Sequence, residues 1–384
     1  MSRVDKGNVV FKYLPQDFIV EELGEKYLSN VSPSLEIFQA SQKERKNIPS
    51  NEKRPFLACD LEKTNIDHLS ALSILSKELH LSPHKIGYAG AKDKIAWTSQ
   101  RISLFDPDLE RVINFRFSGM LLKNFTWIKH KIKIGDLKGN RFTITLRNAD
   151  KDAIKILSKL RNTLRVPNLF GEQRFGSLRN DNFQIGVFIL KNKYREAVFA
   201  FLSNYGEEES DEIKQAKKRF KLEKDIKHAQ IYFPLSLHAE HRILEFLKTH
   251  PDDYDGALKT LGEKTLTLFS QSVQSALFNE IVQRAIDENV ITSQQNIPLI
   301  GKGYSQSQVR LGDIEREVLK DLQLAPQDLS NLPSASRKAF LEVKDLRASI
   351  EDDELFIPSK KVILTFALDS GCYATTFLEN FFTF

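Results

Sequence analysis

Residues 87–100 read GYAGAKDKIAWTSQ and place one aspartate, Asp93, between Lys92 and Lys94, just after a run of glycine and alanine. The residues before this run have a strand pattern, so we predict a strand that ends in a glycine-rich turn. An aspartate in such a turn can be a solvated loop residue. It can also be a carboxylate that nearby cations keep ionised for chemistry. This stretch by itself leaves both interpretations open.

The composition limits the domain number and the class of protein. A chain of 384 residues exceeds one typical domain and indicates two or three. The 56 Lys and Arg against 51 Asp and Glu, a net charge of +5, are a weak indication of an anionic partner. Two cysteines, Cys59 and Cys372, form no disulfide framework and no metal knuckle, which fits a reducing, cytoplasmic compartment. We expect no signal peptide and no membrane span, because no uncharged apolar stretch of about 18 residues occurs.

Strand patterns dominate the first part of the chain. QDFIVEEL, at 16–23, predicts a short strand. HKIKIGDLKGNRFTITLRN, at 130–148, predicts a hairpin, and lysines 129, 131 and 133 alternate along its first strand as a possible cationic row for RNA phosphates. The ordinary alternative for that row is a solvated strand face.

A helix is predicted between these strands, in TNIDHLSALSILSKEL at 64–79. Thr64 with Asp67 resembles a capping box at its start. Four apolar residues can share one face of it: Ile66, Leu69, Leu75 and Leu79.

The middle of the chain has a different character. From about residue 191 it is helix-rich, and an acidic run at 206–212 precedes a basic run at 214–224. A helix is predicted over 270–290, where Val273, Leu277, Ile281 and Ala285 stand four apart. Strand patterning returns in KKVILTFALDSGCYATTF, at 360–377. This order predicts a helical domain inserted into a strand-rich one.

A second distinctive stretch is VPNLFGEQRFGS, at 166–177, in which glycines bracket Asn168, Phe170, Arg174 and Phe175. Glycine permits tight turns and close backbone approach. The stretch can also be a proline-initiated turn that anchors its phenylalanines in the core. His238 and His241 stand three apart, but no cysteine or third histidine beside them supports a zinc site.

Several short motifs occur together in one order: GYAGAKDK with TSQ, LKGNRF, PNLFGEQRFG and GCYAT. QDFIVEE, QSALFNEIV and SRKAF accompany them. The set resembles the TruD family of pseudouridine synthases, which isomerise uridine in transfer RNA. The resemblance implies a mixed α/β (mixed α+β) catalytic domain with a largely antiparallel sheet, interrupted by an inserted domain. The expected domains are 1–188 and 336–384 for the catalytic part, and 189–335 for the insertion.

The resemblance also implies an active site. Asp93 would be the catalytic carboxylate, acting as a nucleophile on C1′ or as a base at C2′. Phe170 would stack on the extruded uracil, and Asn168 would form hydrogen bonds near the carboxylate or the base. Glu21 is a further candidate near the site. One of Lys92 and Lys94 would be a cation beside Asp93 or would bind an RNA phosphate. Gln173 and Arg174 would lie behind the base pocket, and a salt bridge within the loop is an equal alternative for them.

The implied substrate is tRNA, with uridine 13 as the family's usual target. Because the rearrangement oxidises nothing and imports no group, we expect no small-molecule cofactor and no metal. This sequence departs from the family at Leu169, where an aromatic is common, at Cys372, where serine is common, and at Glu379 and Asn380, where Arg-Glu often follows. The alternatives are a catalytically silent RNA-binding protein on the same scaffold and a metal-dependent RNA-processing enzyme, which lacks a ligand cluster in the sequence.

Overall fold

The chain divides into two structural units in the computed structural model. Unit one comprises Met1–Val166 and Leu341–Phe384, and unit two comprises Pro167–Phe340. The structure describes residues 7–50, 53–160, 165–176, 181–207, 209–292, 295–307 and 309–384. The boundaries between the units therefore lie after Val166 and after Phe340, whereas the sequence analysis expected them after residues 188 and 335. That residues 189–335 form the inserted domain of the family stays a prediction.

Within the described residues, every strand longer than four residues belongs to unit one. They are β1 (Gly7–Asn8), β2 (Phe18–Leu23), β3 (Leu28–Ser29), β4 (Phe56–Thr64), β5 (Ile86–Tyr88), β6 (Trp97–Phe105), β7 (Met120–Ile128), β8 (Gly139–Ala149), β9 (Arg165–Pro167), β10 (Asn296–Leu299), β11 (Ala335–Lys338), β12 (Phe340–Glu342), β13 (Lys344–Asp352), β14 (Lys360–Asp369) and β15 (Phe382–Thr383).

The helices are concentrated in the middle of the chain, as the sequence predicts. They are α1 (Leu35–Lys43), α2 (His68–Glu78), α3 (Leu109–Ile113), α4 (Lys151–Leu160), α5 (Asn182–Leu190), α6 (Tyr194–Ser203), α7 (Asp211–Glu223), α8 (Ile226–Tyr232), α9 (His238–Thr249), α10 (Tyr254–Lys259), α11 (Glu263–Asp287), α12 (Val309–Asp321) and α13 (Ala374–Glu379). Among the described residues, no helix is both long enough and apolar enough to cross a membrane.

A mixed sheet organises unit one. Within the described residues it has nine strands, in the order β13-β14-β8-β2-β6-β4-β7, with β3 beside β2 and β5 beside β6. The described pairs in this sheet are antiparallel except β2 with β6, where Ile19 pairs with Trp97 and Glu21 pairs with Ser99. The fold of unit one is therefore mixed α/β with a mainly antiparallel sheet. The parallel pair brings β2 next to the strand that follows the Asp93 loop.

Alternating side chains of these strands are buried under helices. Ile144 of β8 and Phe366 of β14 share one core with Phe377 of α13. Leu61 of β4 and Leu122 of β7 belong to a second core, to which α2 contributes. Burial of such side chains stabilises a fold by about 1.5–3 kcal/mol each. The two cores hold the central strands β2 and β6 in place.

The helix predicted over residues 270–290 is confirmed as part of α11. Val273, Leu277, Ile281 and Ala285 are all fully buried, so the four-residue spacing marks its core-facing side. Residues of α5 pack on the same core, and for that reason unit two begins before the expected residue 189.

The predicted start of the α2 helix was wrong in detail. Thr64 ends strand β4, and Asp67 itself caps the helix by accepting a hydrogen bond from the Ser70 amide. Leu75 and Leu79 are buried as expected, but the Leu69 side chain is 71% exposed. A cap at Asp67 places Leu69 in the first turn, on the solvent side of the helix.

The predicted hairpin over residues 130–148 was also wrong. Strand β7 ends at Ile128 and pairs with β4, whereas β8 pairs with β14 and β2. Lysines 129, 131 and 133 lie in the loop between β7 and β8, so they form no strand row. Ile134, which lies in the first part of the predicted hairpin, is 79% exposed. Partner choice across a sheet depends on distant segments, which local alternation does not report.

Candidate active site

Asp93 lies in the loop that joins β5 to β6 in unit one. Its side chain is 55% exposed, and its Oδ2 accepts a hydrogen bond from Lys12 Nζ at 2.8 Å. The ammonium of Lys12 also lies 4.0 Å from the ring centroid of Phe18, and its side chain is only 19% exposed. Asp93 is therefore open to a ligand on one side and paired with a fixed cation on the other.

The cation beside Asp93 comes from a different place than the sequence suggested. Lys92 and Lys94 were the candidates, but Lys92 is buried and Lys94 is exposed without contacting the Asp93 carboxylate in the described contacts. Lys12 is 81 positions away from Asp93, so no local spacing could identify it. Its only sequence signal is its place just before QDFIVEE, one of the stretches that carry the resemblance.

Lys92 anchors the loop from the inside. Its Nζ donates to Glu22 Oε2 at 2.7 Å, and both side chains are almost completely buried. Glu22 also accepts from the Tyr27 hydroxyl at 2.9 Å and from the Arg101 amide at 3.2 Å. Burial and the negative charge of Glu22 raise the pKa of Tyr27, so this hydroxyl stays protonated as a donor. The Lys92 side chain therefore lies in the buried cluster with Glu22, whereas the Asp93 side chain is half-exposed and paired with Lys12.

Glu21 points away from this cluster. Its Oε2 accepts from Arg141 Nε at 2.7 Å, and its Oε1 accepts from the Val31 amide at 3.0 Å. Successive residues of a strand point to opposite faces of the sheet, so Glu21 and Glu22 cannot both face the Asp93 loop. The structure ties Glu22, which the sequence analysis did not single out, to that loop through Lys92.

Asn168 lies in unit two, and both polar atoms of its side-chain amide have partners there. Its Nδ2 donates to Lys338 O at 2.9 Å, and its Oδ1 accepts from Arg337 Nη2 at 2.5 Å. Its backbone amide donates to Ala339 O at 2.8 Å, and its own carbonyl accepts from Arg337 Nε at 2.9 Å. The residue is 2% exposed. These contacts show a side chain that holds its loop in place.

Phe170 follows Asn168 by two residues and is half-buried. Asn279 fixes its backbone by accepting from its amide at 2.7 Å and donating to its carbonyl at 2.9 Å. The ring meets Phe278 edge-to-face, with centroids 5.5 Å apart, and the Arg337 guanidinium carbon lies 4.2 Å from its centroid. The ring is therefore both anchored in the core of unit two and partly open.

Arg174 contributes to the same loop of unit two. Its Nε donates to the Ser275 hydroxyl at 3.1 Å, and its guanidinium carbon lies 5.4 Å from the Phe170 centroid. Gln173 belongs to the short 3-10 helix Glu172–Phe175, but its side chain lies outside the described residues. Asn279 and Arg337 are further site residues that the sequence analysis did not name. Both stand inside stretches that carry the resemblance, QSALFNEIV and SRKAF.

A metal site is not apparent in the part of the chain that the structure describes, where no group of three His, Cys, Asp or Glu side chains could hold an ion. His241, one of the two histidines considered for zinc, instead lies with its Nε2 3.1 Å from the Pro234 carbonyl oxygen.

Comparison with protein families identifies relatives over almost the whole chain. The model of the family described as tRNA pseudouridine synthase D (TruD) matches residues 4–296 and 292–381. A protein of Methanocaldococcus jannaschii named "Probable tRNA pseudouridine synthase D 1" is 30% identical over 393 residues, covering 98% of this chain and 95% of the relative. A "Probable tRNA pseudouridine synthase D" of Methanopyrus kandleri is 32% identical over 340 residues, covering 83% and 84%.

A solved structure has the same fold. It is the crystal structure described as "Putative tRNA pseudouridine synthase D (TruD) from Methanosarcina mazei", which matches with a TM-score of 0.78 at 26% identity. The match covers 99% of this chain and 94% of that one.

Proposed function

Because this chain belongs to the TruD family of tRNA pseudouridine synthases, which are isomerases, we propose that it converts uridine 13 of tRNA to pseudouridine with Asp93 as the catalytic carboxylate. The observation that carries this proposal is the pairing of a half-exposed carboxylate with a fixed ammonium, Lys12 Nζ, at 2.8 Å. An adjacent cation stabilises the charged form of a carboxylate. The open side of Asp93 leaves room for a ribose.

The reaction rearranges bonds within one nucleotide. The bond between uracil N1 and ribose C1′ breaks, the base turns, and a bond from C5 to C1′ replaces it. The proton lost from C5 is balanced by the proton gained at N1, so atoms and electrons are conserved without a co-reactant. In this reaction Asp93 acts either as a nucleophile that attacks C1′ or as a base that removes a proton at C2′. Both roles need the carboxylate.

The base must leave its stack before it can turn, which costs a few kcal/mol. We assign Phe170 to recover part of that cost by stacking on the uracil with the part of its ring that Arg337 and Phe278 leave uncovered. Asn168, Asn279 and Arg174 hold this loop, each through contacts within unit two. Asn168 is thus assigned to positioning Phe170, since both polar atoms of its amide are already bonded.

Asp93→Asn is the decisive variant, because it keeps the size of the side chain but removes its charge and its nucleophile. The assay pairs single-turnover pseudouridine formation with tRNA affinity at fixed salt, in chelator and with no added cofactor. We expect turnover to fall below detection while affinity persists, since phosphate contacts supply much of the binding. Asp106→Asn is the matched control, because Asp106 is another exposed aspartate paired with a lysine, Lys53, in unit one.

Three results would count against the proposal. Near-normal turnover of folded Asp93→Asn would remove the site assignment. A wild-type protein that binds tRNA but forms no pseudouridine would favour the silent RNA-binding alternative. Mapping of pseudouridine in total tRNA, with and without the protein, tests the target. Pseudouridine at another position would support the enzymatic activity but contradict the assignment of uridine 13 as the target.

A further inference from the structure

Lys63 is a buried cation at the base of the Asp93 loop. It is the second-to-last residue of β4, and its side chain has no exposed area. Its Nζ donates to the backbone carbonyls of Ile66 at 2.7 Å and Asp93 at 2.7 Å, and it lies 3.4 Å from the carbonyl of Lys92. The three donors of an ammonium thus meet three carbonyl oxygens. Two of those oxygens, from Lys92 and Asp93, belong to the Asp93 loop.

We propose that Lys63 is a positioning residue that holds the main chain of the Asp93 loop, so that the carboxylate is presented to the substrate in one place. This inference rests on the proposed role of Asp93. The loop has little apolar packing of its own, because the residues at 93–95 are exposed and Ile95 is 49% exposed. A hydrogen bond to the Asp93 carbonyl therefore restrains the residue from which the carboxylate projects. A small displacement of a reacting group is enough to reduce a rate about 100-fold.

The charges around Lys63 determine when it holds its proton. The pKa of Lys63 is lowered to about 8, chiefly by burial and also by the positive charge of Lys92, against the opposing effect of Asp93 and Asp67. His68, at the start of α2, faces the same region, and burial together with Lys63 and Lys92 lowers the pKa of its ring to about 4. His68 is therefore neutral where Lys63 titrates.

Loss of the Lys63 proton would release the loop. A neutral amine has two N–H donors, so one of the three carbonyls loses its partner. We expect turnover to fall about tenfold per pH unit above pH 8, as for a single ionisation. Global unfolding does not explain such a loss. The unfolded lysine has a pKa of 10.5, so the penalty for burying its charge is present below pH 8 and disappears as the pH rises towards 10.5.

The test compares pH profiles between pH 6.5 and 9.5. Wild type, Lys63→Met, Lys63→Arg and Lys46→Met are assayed by single-turnover pseudouridine formation at saturating tRNA. Lys46 is the matched control, because it is also buried, donates to the carbonyls of Ser41 and Glu44, and has its pKa lowered to about 8, chiefly by burial. These carbonyls belong to the C-terminal end of α1, elsewhere in unit one.

We expect the alkaline fall in wild type and Lys46→Met and its absence in the Lys63 variants. Lys63→Met should lose at least tenfold in turnover with little change in tRNA affinity, measured separately at fixed salt, and Lys63→Arg should recover part of that loss. A flat wild-type profile, a fall that persists in the Lys63 variants, or a fall abolished by Lys46→Met would each overturn the inference.

A second measurement needs no variant and covers the case in which the Lys63 variants do not fold. Hydrogen–deuterium exchange of wild-type protein follows the Ala96 amide, which donates to the Lys94 carbonyl within the loop, after correction for intrinsic rates. Its protection should fall by up to about tenfold between pH 7 and 9, as for a single ionisation near pH 8, while β4 stays protected. Unchanged protection would reject the inference. If wild type is inactive at every pH, the proposed function fails, but this exchange result still decides the role of Lys63 in the loop.

Discussion

Phe170 combines two properties that a pair of variants can separate. Its ring is anchored by Phe278 and Arg337, yet it is only half-buried. Phe170→Ala removes a stacking surface worth about 1–3 kcal/mol per base, so turnover should fall about tenfold or more. Phe170→Tyr should retain much more activity because it keeps the aromatic face. Single-turnover rates and thermal melts of both variants provide the measurement.

Phe278→Leu is the control for Phe170, because it changes the buried partner of the ring but keeps the Phe170 side chain itself. Phe278 is 1% exposed, so this variant should lower stability with a smaller effect on turnover. Equal loss of activity in Phe170→Ala and Phe170→Tyr would show that Phe170 is a core anchor only.

Strand β2 offers a matched pair of variants on its two faces. Glu22→Gln leaves the buried ammonium of Lys92 without its counter-charge, and breaking one side of a buried pair costs about 3–5 kcal/mol. Glu21→Gln weakens a pair with Arg141, whose side chain is 38% exposed, so its cost should be about 1 kcal/mol. Urea unfolding measures both changes.

The two faces of β2 should also differ in their effect on the reaction. Glu22→Gln should lower turnover more than Glu21→Gln, because Lys92 is next to Asp93 in the loop. If Glu21→Gln lowers turnover more than Glu22→Gln, the side of β2 on which Glu21 meets Arg141 makes the active-site contact. The resemblance included Glu21 among the candidate site residues.

We expect unit two to contribute a second contact for tRNA, and the sequence suggests one candidate patch for it, Lys217, Lys218 and Arg219 in the basic run at 214–224. The structure corrects this patch. Lys217 has no exposed area and pairs with Glu240 at 3.2 Å and Glu209 at 3.6 Å, so it cannot reach RNA. Arg219 pairs with Glu223 at 2.8 Å along the same helix.

Lys218 and Lys221, both exposed on α7, are the better test of this contact. Reversing both charges should weaken tRNA binding and reduce the slope of affinity against salt by about 2, since each phosphate contact contributes close to one counterion. Lys259→Glu, on α10 of the same unit, is the control. An unchanged slope in the double variant would exclude α7 from the tRNA surface while leaving the rest of unit two in question.

Local patterns in the sequence determined much of the fold and the class of chemistry. The strand at QDFIVEEL, the strand at β14 and the buried stripe of α11 follow from periodicity, which depends only on neighbouring residues. The motifs around Asp93 and Phe170 indicated the family, which the comparisons confirm. The helix-rich middle between two strand-rich parts was likewise visible from the order of strand and helix patterns along the chain.

Tertiary structure decided the contacts between residues distant in sequence. Lys12 reaches Asp93 across 81 positions, and Lys63 lies 30 positions from Asp93, whose carbonyl it binds. Periodicity shows which residues of β2 alternate, but only the packing of the sheet selects the face on which Glu22 meets Lys92. The same holds for Lys217, whose burial depends on carboxylates from other segments. Electrostatic pairing and strand choice are set by three-dimensional proximity, and a linear pattern carries no distance information.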